Sequence, residues 1–358
     1  MKLLDKYILK EFLKILVITV LSFIALFLIV DFFEKIRMFL SNNASAGQMA
    51  SYFVYSIPMI ISYIFPPAVL LSTLVTFSSL SKFNEITAMK ANGINIYRIS
   101  LPLIIFAAIA AVILFYFNEL ISPASIQKTE YIVKVEVQKQ KAPGFFKQNE
   151  IWFHGKNAVY NFKMFDADKN IIRGVTINYI NPDFTLGSRI DAQRAEWKNN
   201  QWVFYNLMTT HFDNNNNPVL EWSKEKIINI PEKPDDFKVM QKDVEKMGYF
   251  ELRKYVKKIR LEGYDVSKYL VELQGKIAFP MVILIMVFIA VPFSLRSERS
   301  GGVMQSIGLG IFIGFSYWIV NALSMSMGMK YLPPFFAAWG ANIIFAAVAA
   351  VLFYRVHT

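Results

Sequence analysis

Three long apolar stretches, a polar stretch from Glu119 to Val266, and three more apolar stretches fill this chain from end to end. That order limits the fold more than any motif does. A helix rises about 1.5 Å per residue, so crossing about 30 Å of hydrocarbon takes about 20 apolar residues. Five uncharged runs meet the requirement: Met38–Ser81, Ile99–Asn118, Ile277–Leu295, Ser300–Met329 and Tyr331–Tyr354. A sixth, Ile15–Val30, is shorter, and spans only by recruiting Phe32 and Phe33 or by letting Lys14 snorkel outward. The expected fold is a polytopic α-helical membrane protein with six transmembrane helices, three and three, around an inserted all-β domain. The last two spans are joined by a turn at Lys330–Pro334.

The expected divisions are a first membrane half at residues 1–118, an external domain at 119–267 and a second membrane half at 268–358. Ala44-Ser45-Ala46 has the look of a signal-peptide cleavage site, but it lies far beyond the apolar run, with the charged stretch Asp31–Arg37 between. A retained first span is expected. Lysine and arginine in short loops set the orientation. Lys2, Lys6, Lys10 and Lys14 precede span one, Lys82, Lys90 and Arg98 separate spans two and three, and Arg296 and Arg299 separate four and five. The opposite loop Ser41–Ala50 has none. Both termini are therefore expected in the cytoplasm, with the insert outside. The excess of basic residues, a net +11, is concentrated in the membrane halves, so it reads as topology and excludes nucleic acid as the natural partner. With no cysteine, the external domain has no disulfides and must build its own core.

Between residues 145 and 235 the period becomes strand-like. Val175–Tyr179 and Trp202–Tyr205 are β-branched and aromatic, and turn residues separate such segments at Asp166–Asn170, Asn181–Asp183, Lys198–Asn200 and Asp213–Asn217. A sandwich, jelly roll or barrel is expected. Residues 247–263 read as an amphipathic connecting helix, with Leu252, Val256 and Ile259 on one face and Gly263 as its stop. His154 and His211 lack ligand spacing, so no metal site is expected.

No phosphate loop, zinc-protease helix or nucleophile elbow is present. The chain is expected not to be an enzyme and to bind no cofactor, ATP and magnesium belonging to a partner if transport is active. The loop Ser81–Gly93 reads as a short cytoplasmic helix at 82–93. Phe83, Ile86 and Met89 fall near one face, Gly93 can cap it, and Glu85 and Lys90 are left for solvent or a partner. Charges close to hydrocarbon are costly. Asp31, Glu34, Lys35 and Arg37 cluster at the far end of span one, with an Asp31–Lys35 helix pair as the plainest outcome, and Lys276 opens span four. Pro58, Pro66 and Pro67 should kink or break span two. Gly308, Gly310 and Gly314 give span five a small-residue seam.

Leu4-Asp-Lys-Tyr-Ile-Leu-Lys-Glu-Phe12 and Asn84-Glu-Ile-Thr-Ala-Met-Lys-Ala-Asn-Gly-Ile94 resemble signatures of the LptF/LptG permeases of the lipopolysaccharide exporter. So do Lys276–Pro280, Ala290–Leu295 and Leu332–Trp339, which carries the likeness across both membrane halves. Val30-Asp-Phe-Phe-Glu-Lys-Ile36 is more similar to LptG than to LptF. Some LptG proteins place a lipid-contacting lysine three residues before the aspartate that Asp31 matches. This chain has Leu28 there, and Lys35 or Arg37 stands one or two turns further out.

The resemblance implies a periplasmic β-jelly roll, a pairing with an LptF-like permease, and a dimer of LptB-like ATPases on the coupling helix, with Glu85 at the contact. It implies lipopolysaccharide entering between the permeases past spans one and five, with the glycines of span five at the gate, and leaving through the jelly roll to LptC-like and LptA-like partners. Phe27 and Phe32 with Asp31, Glu34, Lys35, Arg37 and Lys276 would meet the lipid. A different reading keeps the docking helix but moves no lipid: a subunit that transmits force to periplasmic partners.

Overall fold

The computed structural model describes residues 3–139, 146–147, 150–154, 158–166, 170–181, 185–198, 200–212, 217–228, 230, 233–234, 246–261, 266–296, 302–328 and 331–355. The chain divides into two compact units, one of Met1–Gln140 with Val244–Thr358, the other Lys141–Asp243.

The first unit is helical. Its elements are α1 (Leu3–Ser41), α2 (Ala46–Lys82), α3 (Glu85–Ala91), α4 (Ile96–Leu120) and α5 (Ser122–Tyr131), which passes into a π-helical turn (Ile132–Val137). After the inserted unit come α6 (Tyr249–Leu261), α7 (Ser267–Arg296), α8 (Gly302–Gly328) and α9 (Pro334–Tyr354). Among the described residues six helices are long and apolar enough to cross a membrane: α1, α2, α4 with its continuation, α7, α8 and α9. The short apolar run of span one is no obstacle, because α1 continues unbroken through the charged stretch to Ser41.

Burial is uneven. Along its span 67% of α2 is buried, against 11% of α1. One core joins Ile8, Phe12 and Leu16 of α1 to Phe77 of α2, Leu103 of α4 and Val287 of α7. A second joins Leu70 and Leu74 of α2 to Met286 of α7, Ile313 and Tyr317 of α8 and Ala341 of α9. In the second, the Tyr317 hydroxyl donates to Asn342 Oδ1 (2.7 Å), and Asn342 Nδ2 donates to the Ala278 carbonyl (2.7 Å), so buried polar groups on three helices satisfy one another.

The helix ends follow local chemistry. Asn43 and Gly93 both take positive φ, 53° and 78°. In each case two backbone N–H groups turn back onto the preceding helix: Ala44 to Phe39 and Asn43 to Leu40, Ile94 to Met89 and Gly93 to Lys90. This is the Schellman stop, which glycine or asparagine tolerates at little steric cost. Ser45, which resembled part of a cleavage site, caps α2 in a capping box with Gln48. Pro58, Pro66 and Pro67 do not break α2, which runs continuously through all three. Ser56, Ser62, Thr73 and Thr76 donate their hydroxyls to carbonyls one turn back.

The second unit is one antiparallel sheet in sequential order: β1 (Phe146–Lys147), β2 (Glu150–His154), β3 (Ala158–Asp166), β4 (Ile171–Ile180), β5 (Leu186–Lys198), β6 (Gln201–Phe212) and β7 (Pro218–Ile228). The jelly-roll expectation thus narrows to a seven-stranded meander in which each strand pairs with the next, as short connections favour. Asn170 and Asn200 take the positive φ those connections need, 52° and 63°. Residues 167–169, 182–184, 199 and 213–216 of the expected turns lie outside the described residues, as do Gly263 and Lys330.

A crease crosses this sheet. Ladder pairing lapses at Lys163, Gly174, Gln193, Asn206 and Lys224, one residue in each of β3 to β7, while the register on both sides stays the same. Gly174 and Asn206 lie on it with φ of 61° and 50°. The inward sequence therefore skips a beat in each strand: Phe162 then Phe165, Ile172 then Val175, Ala192 then Ala195, Phe204 then Leu207. All eight belong to one apolar cluster with Trp202 and Ile177. One face of the sheet stays apolar across the bend, which strict alternation would not allow.

On the other face Asp191 accepts hydrogen bonds from Arg189 Nε (2.7 Å) and Nη2 (2.8 Å) and from Thr176 Oγ1 (2.7 Å). Partial burial pushes its carboxyl up, but the Arg189 and Thr176 hydrogen bonds outweigh this and hold it below its ordinary value of 3.8. A lowered folded-state pKa means the stabilisation is complete above about 3.8 and disappears as pH falls through the lower folded value. Asp191→Asn should cost the sheet about 1 kcal/mol at neutral pH, given the site's exposure. It should also flatten the acid limb of a pH-dependent thermal unfolding series monitored at the sheet; an unchanged acid limb would exclude this role.

Candidate functional site

The short helix expected between spans two and three is α3. Asn84, at φ 58°, separates it from the end of α2, whose last residues make a tight turn with Phe83 at the cap. Helical spacing therefore does not run from Phe83 into α3. Ile86 is buried and Met89 packs on the same core, but Phe83 points away and is 68% exposed. Glu85 was expected to be left for solvent or a partner; it instead accepts a hydrogen bond from the Tyr7 hydroxyl of α1 (2.8 Å). Gly93 closes the helix as expected.

A second tie lies nearby. Arg98 of α4 grips Asp5 of α1 with two nitrogens, at 2.7 and 3.0 Å, a bidentate geometry that fixes direction as well as distance. The Tyr97 hydroxyl donates to the Phe353 carbonyl of α9 (3.3 Å). The start of α1 is thus fastened both to α3 and to α4. Neither Tyr7 nor Asp5 was singled out from the sequence, because partners 78 and 93 residues away leave no local pattern.

At the other end of α1, Lys35 pairs with Asp31 at 3.6 Å and lies 5.8 Å from the centre of the Tyr52 ring. Asp31 is buried, whereas Glu34 and Arg37 are exposed. Phe32 packs on Phe53 at 5.9 Å, and Phe27 is 40% exposed. The structure thus brings Asp31, Phe32 and Lys35 against α2 and leaves Phe27, Glu34 and Arg37 on the open surface of α1.

Of Gly308, Gly310 and Gly314 in span five, two are used inside the chain. A Cβ at Gly310 would meet Leu74 at 3.0 Å and Leu71 at 3.2 Å, and Gly314 faces Leu70 and Pro67, so both seat α8 on α2. Gly308 is open, with nothing within 4 Å of its Cβ position. Ser78 and Ser306 hydrogen-bond across the same α2–α8 contact. Lys276 does not join the basic residues of α1: it lines a cavity among α2, α4, α5, α6, α7, α8 and α9, with no described α1 residue in its wall. No local pattern marks Glu119, which also stands on that wall. Its carboxylate accepts backbone N–H groups from Tyr249 and Phe250, in the first turn of α6, where the helix dipole favours a negative charge.

Comparison with known proteins agrees with this anatomy. The Escherichia coli K12 protein named lipopolysaccharide export system permease protein LptG is 22% identical over 98% of both chains. The Haemophilus influenzae Rd protein of the same name is 23% identical over 96% of this chain and 95% of its own. Residues 6–355 match the family described as lipopolysaccharide export system permease LptF/LptG, and the chain belongs to that family.

Proposed function

We propose that this chain is an LptG-like permease subunit of an ATP-driven exporter, taking lipopolysaccharide from the inner membrane and passing it along the inserted sheet. The observation that carries this is family membership over almost the whole chain, on a body with six apolar helices and an inserted sheet whose apolar face persists across a crease. The loop lysines and arginines support a topology with both termini and α3 in the cytoplasm and the sheet in the periplasm. On this reading an LptB-like ATPase dimer docks at α3 and supplies ATP and magnesium chemistry. An LptF-like permease faces the open sides of α1 and α8, and LptC-like and LptA-like proteins receive the lipid. Phe27, Arg37 and the Asp31–Lys35 pair line the entry, apolar wall beside charged rim, as an anionic amphipath requires.

Photocrosslinking in the intact exporter tests this. A probe at Phe27 should capture lipopolysaccharide, and one at Tyr179, which packs on the inner face of the sheet, should do so only while ATP is hydrolysed. A probe at Trp222 on the exposed edge strand, 72% exposed, should stay blank. No glycolipid at either of the first two sites would instead assign the chain to force transmission without lipid movement.

A further inference from the structure

The cavity that holds Lys276 has a volume of about 340 Å³. Three aromatic residues on its wall form a triangle: Tyr63 to Phe279 at 6.3 Å, Tyr63 to Trp318 at 6.2 Å and Phe279 to Trp318 at 6.3 Å. Glu272 and Lys276 lie one turn apart on α7, an acid and a base on the same wall. Asn118 is also there, and its buried Oδ1 accepts no hydrogen bond. Such an acceptor is costly unless something donates to it.

Depth narrows the occupant. Asn118 ends the uncharged run of span three, and Lys276 immediately precedes that of span four. Tyr63 lies about 28 Å along α2 from Lys82, and Asn118 about 33 Å along α4 from Ile96, each roughly one hydrocarbon thickness from the α3 end. The cavity is therefore at headgroup level on the face opposite α3. Its charged lining is Glu119, Glu272 and Lys276, one negative charge in excess. That balance repels a polyanionic glycolipid and accepts a ligand carrying its own cation. The aromatic triangle favours a cation, and the orphaned Asn118 oxygen asks for one with N–H groups, a primary rather than a quaternary ammonium.

We propose that this cavity seats the headgroup of a bilayer phospholipid of the phosphoethanolamine class, with its ammonium among Glu272, Asn118 and the aromatic rings and its phosphate at Lys276. The seat is separate from the export route and does not depend on it. It would make packing of α2, α4, α7 and α8 responsive to the zwitterionic lipid around the exporter.

Native mass spectrometry of the intact exporter, released from nanodiscs of phosphatidylethanolamine and phosphatidylglycerol into mild detergent, tests it. One phosphatidylethanolamine per chain should survive washing that removes phosphatidylglycerol. Glu272→Gln and Trp318→Leu should each cut that retention about tenfold, the scale of one charge-assisted or cation–π contact, while the assembly still elutes intact. Equal retention of phosphatidylglycerol, or phosphatidylethanolamine held equally by both variants, would overturn the proposal. So would a water-soluble amine filling the site in nanodiscs free of phosphatidylethanolamine. Lipopolysaccharide capture in the same preparations reports separately on the export reading.

Discussion

Glu85→Lys should release the ATPase proposed to dock at α3. Phe83, 68% exposed at the cap of α2, stands two residues before Glu85, whose carboxylate opens α3 and accepts the Tyr7 hydroxyl. An exposed aromatic next to a charge is how a small contact concentrates its binding energy. Reversing that charge removes an attractive pair and installs a repulsive one, a loss of about 2–5 kcal/mol, or more than tenfold in co-purified ATPase. The substitution also removes the acceptor of the Tyr7 hydroxyl, so Tyr7→Phe is the necessary companion. That variant keeps the charge and loses only the 2.8 Å tie between α3 and α1, worth about 1 kcal/mol. It should retain the ATPase while lowering lipid release per ATP hydrolysed. If Glu85→Lys still co-purified its ATPase at wild-type yield, α3 would not be the docking element.

Gly310→Leu and Gly308→Leu should part company. At Gly310 even a Cβ meets Leu74 and Leu71 at 3.0 and 3.2 Å, and a leucine must push α8 off α2 or force strained rotamers. Overpacking of this kind costs about 1–3 kcal/mol. Gly310→Leu should therefore appear as lower thermal stability in detergent and a smaller yield of assembled exporter. At Gly308 there is nothing to strike, and yield and melting temperature should be those of the wild type. Its added side chain projects instead from the open surface of α8, where the partner permease is proposed to lie, and should slow lipopolysaccharide release with ATPase binding intact. Wild-type release by Gly308→Leu would remove α8 from the lipid route.

The membrane layout was legible because length and apolarity are properties of the chain alone. The α3 stop at Gly93 was legible for a similar reason, since a left-handed cap has a short list of residues. The position of Phe83 was not: the helical wheel assumed one phase across Ser81–Gly93, and Asn84 resets it by taking positive φ. Gly308, Gly310 and Gly314 read as a small-residue seam, but sequence spacing does not say which helix such residues face: Gly310 and Gly314 face α2, and Gly308 is open. Glu119 and Asn118 were invisible because their significance depends on a cavity assembled from residues as far apart in sequence as Ser62 and Ala338. In the insert, strands and turns were readable, but the regular alternation expected of them fails at one row.

That row binds the evolution of four strands together. Remove one residue from β4 beside Gly174, and everything beyond it turns over: Ile172 goes to water and its polar neighbours go inward. The same holds for β3, β5 and β6. No strand can lose its extra residue alone, so relatives should show insertions and deletions crowded into the hairpin ends and almost none at mid-strand.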